Sequence, residues 1–183
     1  IQRAIASKLD IDPTEIDIVE VLAKAGKLGE VCLADEKING SGFVADFYSN
    51  FEDYSRRILN GDDLYFKQML SDQHIAECDS SCYKCLKTYR NMPYHGLLDW
   101  RLGIALFRIM IDNTYKAGAD GNFDYPELKG WKDLARTLLT ALNEGFFRKS
   151  NGRLVYELSE TTCGIPYLYD PDKKSMPIFA SHP

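Results

Sequence analysis

The 183-residue sequence predicts an α+β fold that is mainly helical with short antiparallel strands. Apolar residues recur every three or four positions through most of the chain, which is typical of helices that bury one face. Runs rich in β-branched and apolar residues occur in two separated groups, one early and one late in the chain. Strand groups that do not alternate with helices indicate the α+β class and argue against a parallel sheet.

The N-terminal part of the sequence predicts a helix, a hairpin and two further helices. The hairpin joins its two strands through a turn that contains Gly26 and Gly29. The helix after Asn39-Gly40-Ser41-Gly42 is predicted from its aromatic and aliphatic residues, which are spaced by three or four positions. The predicted ranges are 1–9 for the first helix, 15–22 and 30–34 for the strands of hairpin 15–35, 43–58 for the second helix and 64–76 for the third.

The C-terminal part predicts two more helices and then a group of strands. Apolar spacing indicates a helix from Leu98 to about Tyr115. Asp124 is the predicted N-cap of the last helix, because Pro126 falls in its first turn and the apolar spacing continues to Leu142. The remaining residues predict a β subregion, 150–183, with strands at 153–157, 166–169 and 176–181.

The bulk composition predicts a single domain that spans 1–183. Hydrophobic residues make up 45% and the formal net charge is -5, so the chain is not a polycation that binds phosphate over its whole surface. No apolar run reaches the roughly 18 residues that cross a bilayer, and no membrane partner is expected. The chain starts inside a helical pattern without a signal peptide, which predicts a piece of a longer cytoplasmic protein.

Three of the five cysteines form the array Cys78-x3-Cys82-x2-Cys85. Closely spaced thiolates on a turn can supply three of the four ligands that zinc takes, with little loop-closure cost. The alternative, buried cysteines that act as small hydrophobes, is disfavoured because the intervening residues are polar. The array predicts a zinc-binding cysteine knuckle in a reducing compartment, and zinc is favoured over an iron–sulfur cluster. Cys32 lies in an apolar strand and is expected in the core.

His95 is the predicted fourth ligand, since a local nitrogen costs less loop closure than a distant one. Two alternatives remain, which are Cys163 and a residue outside this sequence. The site is predicted to be structural, because catalytic zinc keeps an open position and the sequence has no His-x-Glu pair before its cysteines. No catalytic residue is assigned.

Basic and aromatic residues alternate around the cysteine array and form a candidate nucleic-acid-binding patch. Cations can contact the phosphate backbone, and tyrosine rings can stack on bases. The alternative is that the tyrosines only pack the knuckle. The predicted cations are Lys84, Lys87, Arg90 and Arg101, and the interleaved rings are Tyr83, Tyr89 and Tyr94.

A longer pattern extends this array. After Cys85 the sequence continues Leu-Lys-x-Tyr-x-Asn91 and then His95-x-x-Leu-Asp-Trp-Arg-Leu102. Upstream, Leu33-Ala-Asp35 is followed by the Asn39-Gly40-Ser41-Gly42 turn, and downstream lies Gly118-Ala-Asp-Gly-Asn-Phe with Pro126-Glu-Leu. Together these segments resemble the cysteine-rich zinc-binding domain at the C-terminus of MrfA-type DEAD/DEAH-box helicases.

The resemblance implies a zinc-bound accessory module of a superfamily 2 helicase in DNA repair or anti-phage defence. It implies motor domains in cis as partners and DNA as the ligand of the full-length protein. The chain has no Gly-x4-Gly-Lys-[Ser/Thr] loop, so it is not expected to be an enzyme by itself, whereas the full-length protein is expected to be an ATP-dependent helicase. The resemblance also implies a fourth cysteine about six residues after the third, where this chain has Asn91.

Two rival functions are considered. Asp17 on one strand and Asp35-Glu36-Lys37 at the end of the next are typical of a metal-dependent nuclease of the PD-(D/E)xK type, whose carboxylates hold Mg²⁺. The other rival is a zinc module that only docks a partner protein. The turn at 39–42 is interpreted either as a phosphate cradle before a helix or, preferably, as a close-packed turn.

Overall fold

The computed structural model describes residues 1–21, 30–37, 39–147, 152, 156–172 and 176–180. Helices predominate, and short antiparallel strands form one two-stranded and one three-stranded sheet, which confirms the α+β class. The chain divides into two compact units, Ile1–Leu70 and Ser71–Pro183, whereas its composition predicts a single domain.

Within its described residues, the first unit combines a hairpin with four helices, and its large buried side chains come from both. They include Ile5, Ile16, Phe47, Tyr54 and Ile58. Cys32, expected in the core, is exposed. The predicted turn at 24–29 lies outside the described residues. The elements are α1 (Gln2–Leu9), β1 (Ile16–Val21), β2 (Glu30–Asp35), α2 (Phe43–Ser49), α3 (Phe51–Asn60) and α4 (Leu64–Met69).

The predicted second and third helices are each broken once, and in both cases a short polar side chain marks the break. The Asn50 amide donates back to the Asp46 carbonyl (3.0 Å) and carboxylate (2.9 Å), at the residue where α2 ends and after which α3 begins. Ser71 Oγ accepts from the His74 N–H at 3.2 Å and caps a new helix, α5 (Asp72–Glu77). Such residues compete with the helix for backbone hydrogen bonds, which apolar spacing does not reveal.

The Asn39–Gly42 turn is closed by the Asp35 carboxylate. This group accepts from the N–H groups of Ser41 (3.0 Å), Gly42 (2.8 Å) and Val44 (3.1 Å) at the start of α2. A Cβ at Gly40, whose φ is 70°, would lie 3.1 Å from Asp35 Oδ2. The N–H groups that would bind a phosphate therefore bind a carboxylate of the same chain, which supports the close-packed turn.

In the part of the chain that the structure describes, the second unit contains three helices and a small sheet. The three strands of this sheet are antiparallel and neighbour one another in chain order. The larger buried side chains include Trp100, Ile104, Leu128, Leu139 and Leu168. The elements after α5 are α6 (Trp100–Ile111), α7 (Trp131–Phe146), β3 (Glu157–Glu160), β4 (Pro166–Tyr169) and β5 (Ile178–Phe179), with 3₁₀ turns at Met92–Tyr94 and Pro126–Leu128.

Two helix boundaries differ from the prediction. Helix α6 ends at Ile111, because Asp112 Oδ1 accepts from the backbone N–H (2.9 Å) and hydroxyl (2.6 Å) of Thr114 and starts a turn. Asp124 does not cap the last helix, since Pro126–Leu128 forms a separate 3₁₀ turn and α7 begins after Gly130, whose φ is 75°. A separate 3₁₀ turn before a helix and the capped first turn of a helix can both carry an aspartate followed by a proline. The sequence alone therefore does not distinguish between them.

A buried ion pair holds the 3₁₀ turn at Pro126–Leu128 against α6. Glu127 has no exposed surface and accepts from Arg108 Nε (2.6 Å) and Nη2 (3.2 Å) and from the Tyr115 hydroxyl (3.0 Å). Removing one partner of such a pair leaves a buried charge without its counterion, which costs far more than an exposed pair contributes. This contact fixes the position of the turn that also receives Arg101, described below.

Candidate metal centre

One imidazole and three thiols converge in the second unit. The ligand atoms of His74, Cys78, Cys82 and Cys85 all lie within 4.8 Å of one another. Cys82 is half-buried and the other three side chains are buried. No second group of this kind occurs in the parts of the chain that the structure describes. These four residues can therefore hold a metal ion.

The spacing of the four donors fits a tetrahedral ion. Cys78 Sγ and Cys85 Sγ are 3.9 Å apart, and Cys82 Sγ is 3.5 Å from His74 Nε2. Metal bonds of about 2.3 Å to sulfur and about 2.0 Å to nitrogen give tetrahedral edges of about 3.8 Å between two sulfurs and about 3.5 Å between sulfur and nitrogen. These two of the six spacings among the donors match the two kinds of edge, whereas a disulfide would need its sulfurs at about 2.05 Å.

Helix α5 supplies one of the four donors, His74, and a second donor, Cys78, directly follows its last residue. Its start is fixed by the Ser71 cap, and one turn later His74 faces the same side as Cys78, the residue that follows the helix. This geometry requires a histidine four positions before the first cysteine. Ring packing against Trp100, with centroids 5.4 Å apart, holds the His74 imidazole in place.

The other two donors lie on a tight turn. The N–H groups of Cys85 (3.1 Å) and Lys87 (2.9 Å) both donate to the Cys82 carbonyl. The Cys82 N–H donates to Cys85 Sγ at 3.0 Å. An N–H group aimed at sulfur stabilises the thiolate form, which is the form that binds a metal ion.

The start of α6 fastens the cysteine loop from the other side. Asp99 caps this helix by accepting from the N–H groups of Arg101 (2.8 Å) and Leu102 (3.1 Å). Trp100, which is almost fully buried, donates from Nε1 to the Cys78 carbonyl (3.2 Å) and from its backbone N–H to the Ser80 carbonyl (2.9 Å). The loop between Cys78 and Cys82 is therefore held by α6 as well as by the cysteines.

Arg101 also holds the cysteine loop, so its guanidinium is not free to contact phosphate as predicted. Its guanidinium donates to the carbonyls of Ile75 (3.2 Å), Asp79 (3.1 Å), Glu127 (3.4 Å) and Lys129 (2.9 Å). Burial lowers the pKa of this group. Because its donors are used by main-chain carbonyls, Arg101 ties the cysteine loop to the turn before α7.

The thiols differ in how readily they ionise. Burial raises the pKa of Cys78 to about 12 and also raises that of Cys85. At Cys82 burial acts in the same direction, but hydrogen bonds from the Lys84 N–H and from the neighbouring thiols outweigh it, and the pKa is lowered. Three thiolates at this spacing therefore need a cation to offset their charge.

His95, the predicted fourth ligand, lies outside the cluster. Its Nε2 is 2.9 Å from the Thr88 carbonyl and 3.0 Å from Asn91 Oδ1. Asn91 in turn accepts from the Thr88 N–H (2.8 Å) and donates to the Leu86 carbonyl (2.9 Å). His95 and Asn91 therefore organise the loop after the cysteines, and His74 takes the position that the sequence assigned to His95.

The other candidate ligand, Cys163, is also separate from the cluster. It lies in the turn between β3 and β4, where its Sγ is 4.0 Å from the Thr162 hydroxyl. The alternative that a distant thiolate completes the site is therefore not the arrangement in the structure.

The remaining predicted cations lie beside the centre. Lys84 and Arg90 are exposed and Lys87 is half-buried, and Lys84 Nζ pairs with Glu77 Oε2 at 3.2 Å. The interleaved tyrosines are exposed, so they do not serve only to pack the knuckle. Their exposed fractions are 71% for Tyr83, 84% for Tyr89 and 58% for Tyr94.

The carboxylates of the predicted nuclease site do not converge. Asp17 pairs with Ala34 across the hairpin and Asp35 pairs with Ile16, so the two carboxylates point to opposite faces. Asp35 caps α2, and Lys37 pairs with Glu15 at 2.9 Å. In the described residues of the hairpin, Asp17 and Asp35 are therefore not placed together to hold Mg²⁺.

Comparisons of this chain with protein-family models, with curated proteins and with solved structures gave no match. Among the helices in the described ranges, none combines the length and the apolar character needed to cross a membrane.

Proposed function

We propose that this chain is a zinc-stabilised C-terminal accessory domain of a superfamily 2 DEAD/DEAH-type helicase, and that it supports nucleic-acid binding or docking of the motor domains. The observation that carries the proposal is the convergence of His74 with Cys78, Cys82 and Cys85, whose ligand atoms all lie within 4.8 Å of one another. The resemblance in the residues around this centre supplies the link to helicases.

Zinc fits this donor set better than other common ions. Thiolate and imidazole are ligands that zinc accepts in a tetrahedron, whereas Ca²⁺ and Mg²⁺ need oxygen ligands. An iron–sulfur cluster places iron and sulfide atoms between its thiolates and so needs a wider spacing than a single ion. All four donors here lie within 4.8 Å of one another, which favours one ion.

The role proposed for the ion is structural. Four protein donors complete a tetrahedron and leave no position for water or substrate, as in closed structural sites. When bound, the ion supplies folding free energy to the segment between α5 and α6. Trp100 and Arg101 then connect this segment to α6 and to the turn before α7.

The residues that carry the helicase resemblance have specific structural tasks in this chain. Asp99 caps α6, Trp100 and Arg101 bind the cysteine loop, and Asp35 closes the turn before α2. Residues that match a family pattern and also stabilise the local structure are less easily explained as a chance match than residues that only match the pattern. The contacts of Asp35, Asp99, Trp100 and Arg101 therefore support the proposal of a helicase-associated domain.

Docking of motor domains is supported by an exposed apolar stripe on α6. Leu102, Leu106 and Met110 are spaced by four positions, and 45%, 56% and 57% of their surfaces are exposed. Helix α7 also exposes Leu134 and Leu138. Apolar surfaces of this kind often contact another protein domain. The same stripe is the observation that favours the second candidate function, a zinc module that only docks a partner protein.

Two measurements test the proposal. Elemental analysis of purified chain should find about one zinc per molecule. The complete coding region of the protein should encode helicase motor motifs before Ile1, and the isolated chain should not hydrolyse ATP, since it has no phosphate loop. Absence of zinc after growth with ample metal would contradict the metal assignment, and a coding region without motor motifs would contradict the helicase assignment.

A further inference from the structure

Three tyrosines within and after the cysteine array are exposed. Tyr83, Tyr89 and Tyr94 lie within twelve residues of one another, and each leaves more than half of its surface in solvent. Tyrosine rings normally bury much of their area, so three exposed rings in one short loop need an explanation other than folding. At 84% exposure, most of both faces of the Tyr89 ring meet solvent.

The same segment is basic, although the chain as a whole is acidic. No Asp or Glu occurs from Ser80 to Leu98, whereas the full chain has a net charge of -5. Lys87 and Arg90 lie in this segment, and Lys84 shares its charge with Glu77 in an exposed pair. Such a pair is weak and screened by salt, so Lys84 can still contribute to the local positive potential.

Hydrogen bonds hold this loop in one conformation. Asn91 bridges Leu86 and Thr88, and the His95 ring contacts both Thr88 and Asn91. The Tyr83 ring lies edge-on to the His95 ring, with centroids 5.6 Å apart. A surface that is ordered before binding loses less conformational entropy when a ligand arrives.

We propose that the aromatic–basic surface, formed by Tyr83, Lys87, Tyr89, Arg90 and Tyr94, binds single-stranded DNA. Bases stack on the exposed rings, and the two cations contact phosphates. This inference rests on the proposed function, because it names the ligand of the accessory domain and the surface that takes it.

The chemistry of the surface distinguishes among nucleic acids. Bases in a duplex are stacked on each other, so exposed rings add affinity only for a single strand. The Asn91 amide and the His95 imidazole are occupied by bonds within the loop, which leaves them poorly placed to recognise a ribose 2′-hydroxyl. The surface is therefore expected to bind a single DNA strand at least as well as RNA.

The test is fluorescence anisotropy with the zinc-loaded chain and a labelled oligothymidine of about 12 nucleotides, within the usual range for one binding surface. Affinity should exceed that for a duplex of equal length and should not fall below that for oligouridine. Two or three phosphate contacts at about 0.7 each predict a slope near -1.4 to -2.1 for log affinity against log salt. Preference for duplex or for oligouridine would overturn the proposal.

Variants of Tyr89 test the stacking. Tyr89→Ala should weaken binding about tenfold, Tyr89→Leu should weaken it similarly, and Tyr89→Phe should bind like the wild type, because stacking needs the ring and not the hydroxyl. Tyr48→Ala is the matched control, since Tyr48 is also 84% exposed but lies in the first unit. Equal binding by the Ala and wild-type chains, or equal losses in the Tyr48 and Tyr89 variants, would refute the assignment.

Charge reversal tests the phosphate contacts. Lys87→Glu with Arg90→Glu should remove most binding at low salt, while Arg56→Glu with Lys67→Glu, in the first unit, should change it little. Zinc content is measured for every variant. If all variants carry zinc and the wild type binds no DNA, this inference fails while the zinc-stabilised helicase domain stands. If the wild type carries no zinc, the proposed function fails as well.

Discussion

Replacing His74 by alanine should lower zinc affinity by two to three orders of magnitude. His74 supplies one of four donors, and structural sites of this kind bind zinc with about 10–16 kcal/mol. An equal share for each donor is about 2.5–4 kcal/mol, which corresponds to a loss of roughly 70-fold to 800-fold. The loss should appear without a change in the cysteines, because hydrogen bonds to the Cys82 carbonyl hold the turn of Cys82 and Cys85, and Trp100 Nε1 donates to the Cys78 carbonyl.

The matched variant is His95→Ala. His95 is a histidine of the same unit that lies close in sequence to the cysteines, but its ring contacts Thr88 and Asn91 and not the donor cluster. Its removal should loosen the loop that carries Tyr89 and Tyr94 while leaving zinc affinity within about threefold, less than the 10–100-fold loss typical of residues that orient a ligand directly. Cys163→Ser should likewise leave it unchanged.

Competition with a chromophoric zinc chelator measures the affinities of all three variants at one pH. We expect a large loss of zinc affinity for His74→Ala and almost none for His95→Ala or Cys163→Ser. A large loss for His95→Ala with little change for His74→Ala would refute the assignment and restore the ligand set that the sequence predicts. If all three variants bound zinc as tightly as the wild type, the fourth ligand would be a group other than these three side chains.

Three further results are expected. Asp35→Ala removes the acceptor of three N–H groups at the start of α2 and should lower the free energy of unfolding by about 1–2 kcal/mol, measured by urea titration against Asp17→Ala as control. Glu127→Ala leaves the buried Arg108 guanidinium without its carboxylate and should cost about 3–5 kcal/mol in the same assay, with a smaller loss for Glu127→Gln as counter-check. Zinc affinity should fall as pH falls, because protons compete for ligands such as Cys78, whose pKa burial raises to about 12, and an affinity that is flat between pH 8 and pH 6 by chelator competition would contradict this.

Much of the fold could be predicted from the sequence, because apolar spacing reports directly on which residues face a core. The hairpin strands, the helix at the N-terminus and the strand at 166–169 appear close to their predicted bounds. The breaks at Asn50 and Ser71 were not predicted, since they depend on side-chain hydrogen bonds to the backbone that interrupt a continuous apolar pattern. The division into two units was not predicted either, because no linker of distinctive composition separates them.

The three cysteines of the centre could be predicted because short spacing between thiols is itself a metal signal. The fourth donor was missed for two reasons. Loop length favours both histidines over Cys163, and the separations of four residues from Cys78 for His74 and ten residues from Cys85 for His95 differ in closure cost by only about 1 kcal/mol. The distinguishing signal is the Ser71 cap, which starts a new helix and puts His74 one turn before Cys78. A helix assumed to run unbroken over 64–76 conceals that signal.

The role of Arg101 could not be predicted from its charge. A cation between aromatic residues suggests phosphate, but its guanidinium reaches carbonyls on two segments that are about 26 residues away in sequence. Such contacts depend on tertiary structure, and buried arginines commonly serve as multiple donors of this kind. The exposed cations Lys84 and Arg90 lack these partners among the described contacts, apart from the Lys84 pair with Glu77.

In the proposed site, three sulfurs and one nitrogen hold one tetrahedral ion. X-ray absorption at the zinc edge of the purified, metal-replete chain reports these ligands. We expect a first shell of three sulfurs at about 2.3 Å and one nitrogen at about 2.0 Å, with the nitrogen lost in His74→Ala. A shell of oxygen ligands, a shell of four sulfurs, or a nitrogen that persists in His74→Ala and disappears in His95→Ala would contradict it.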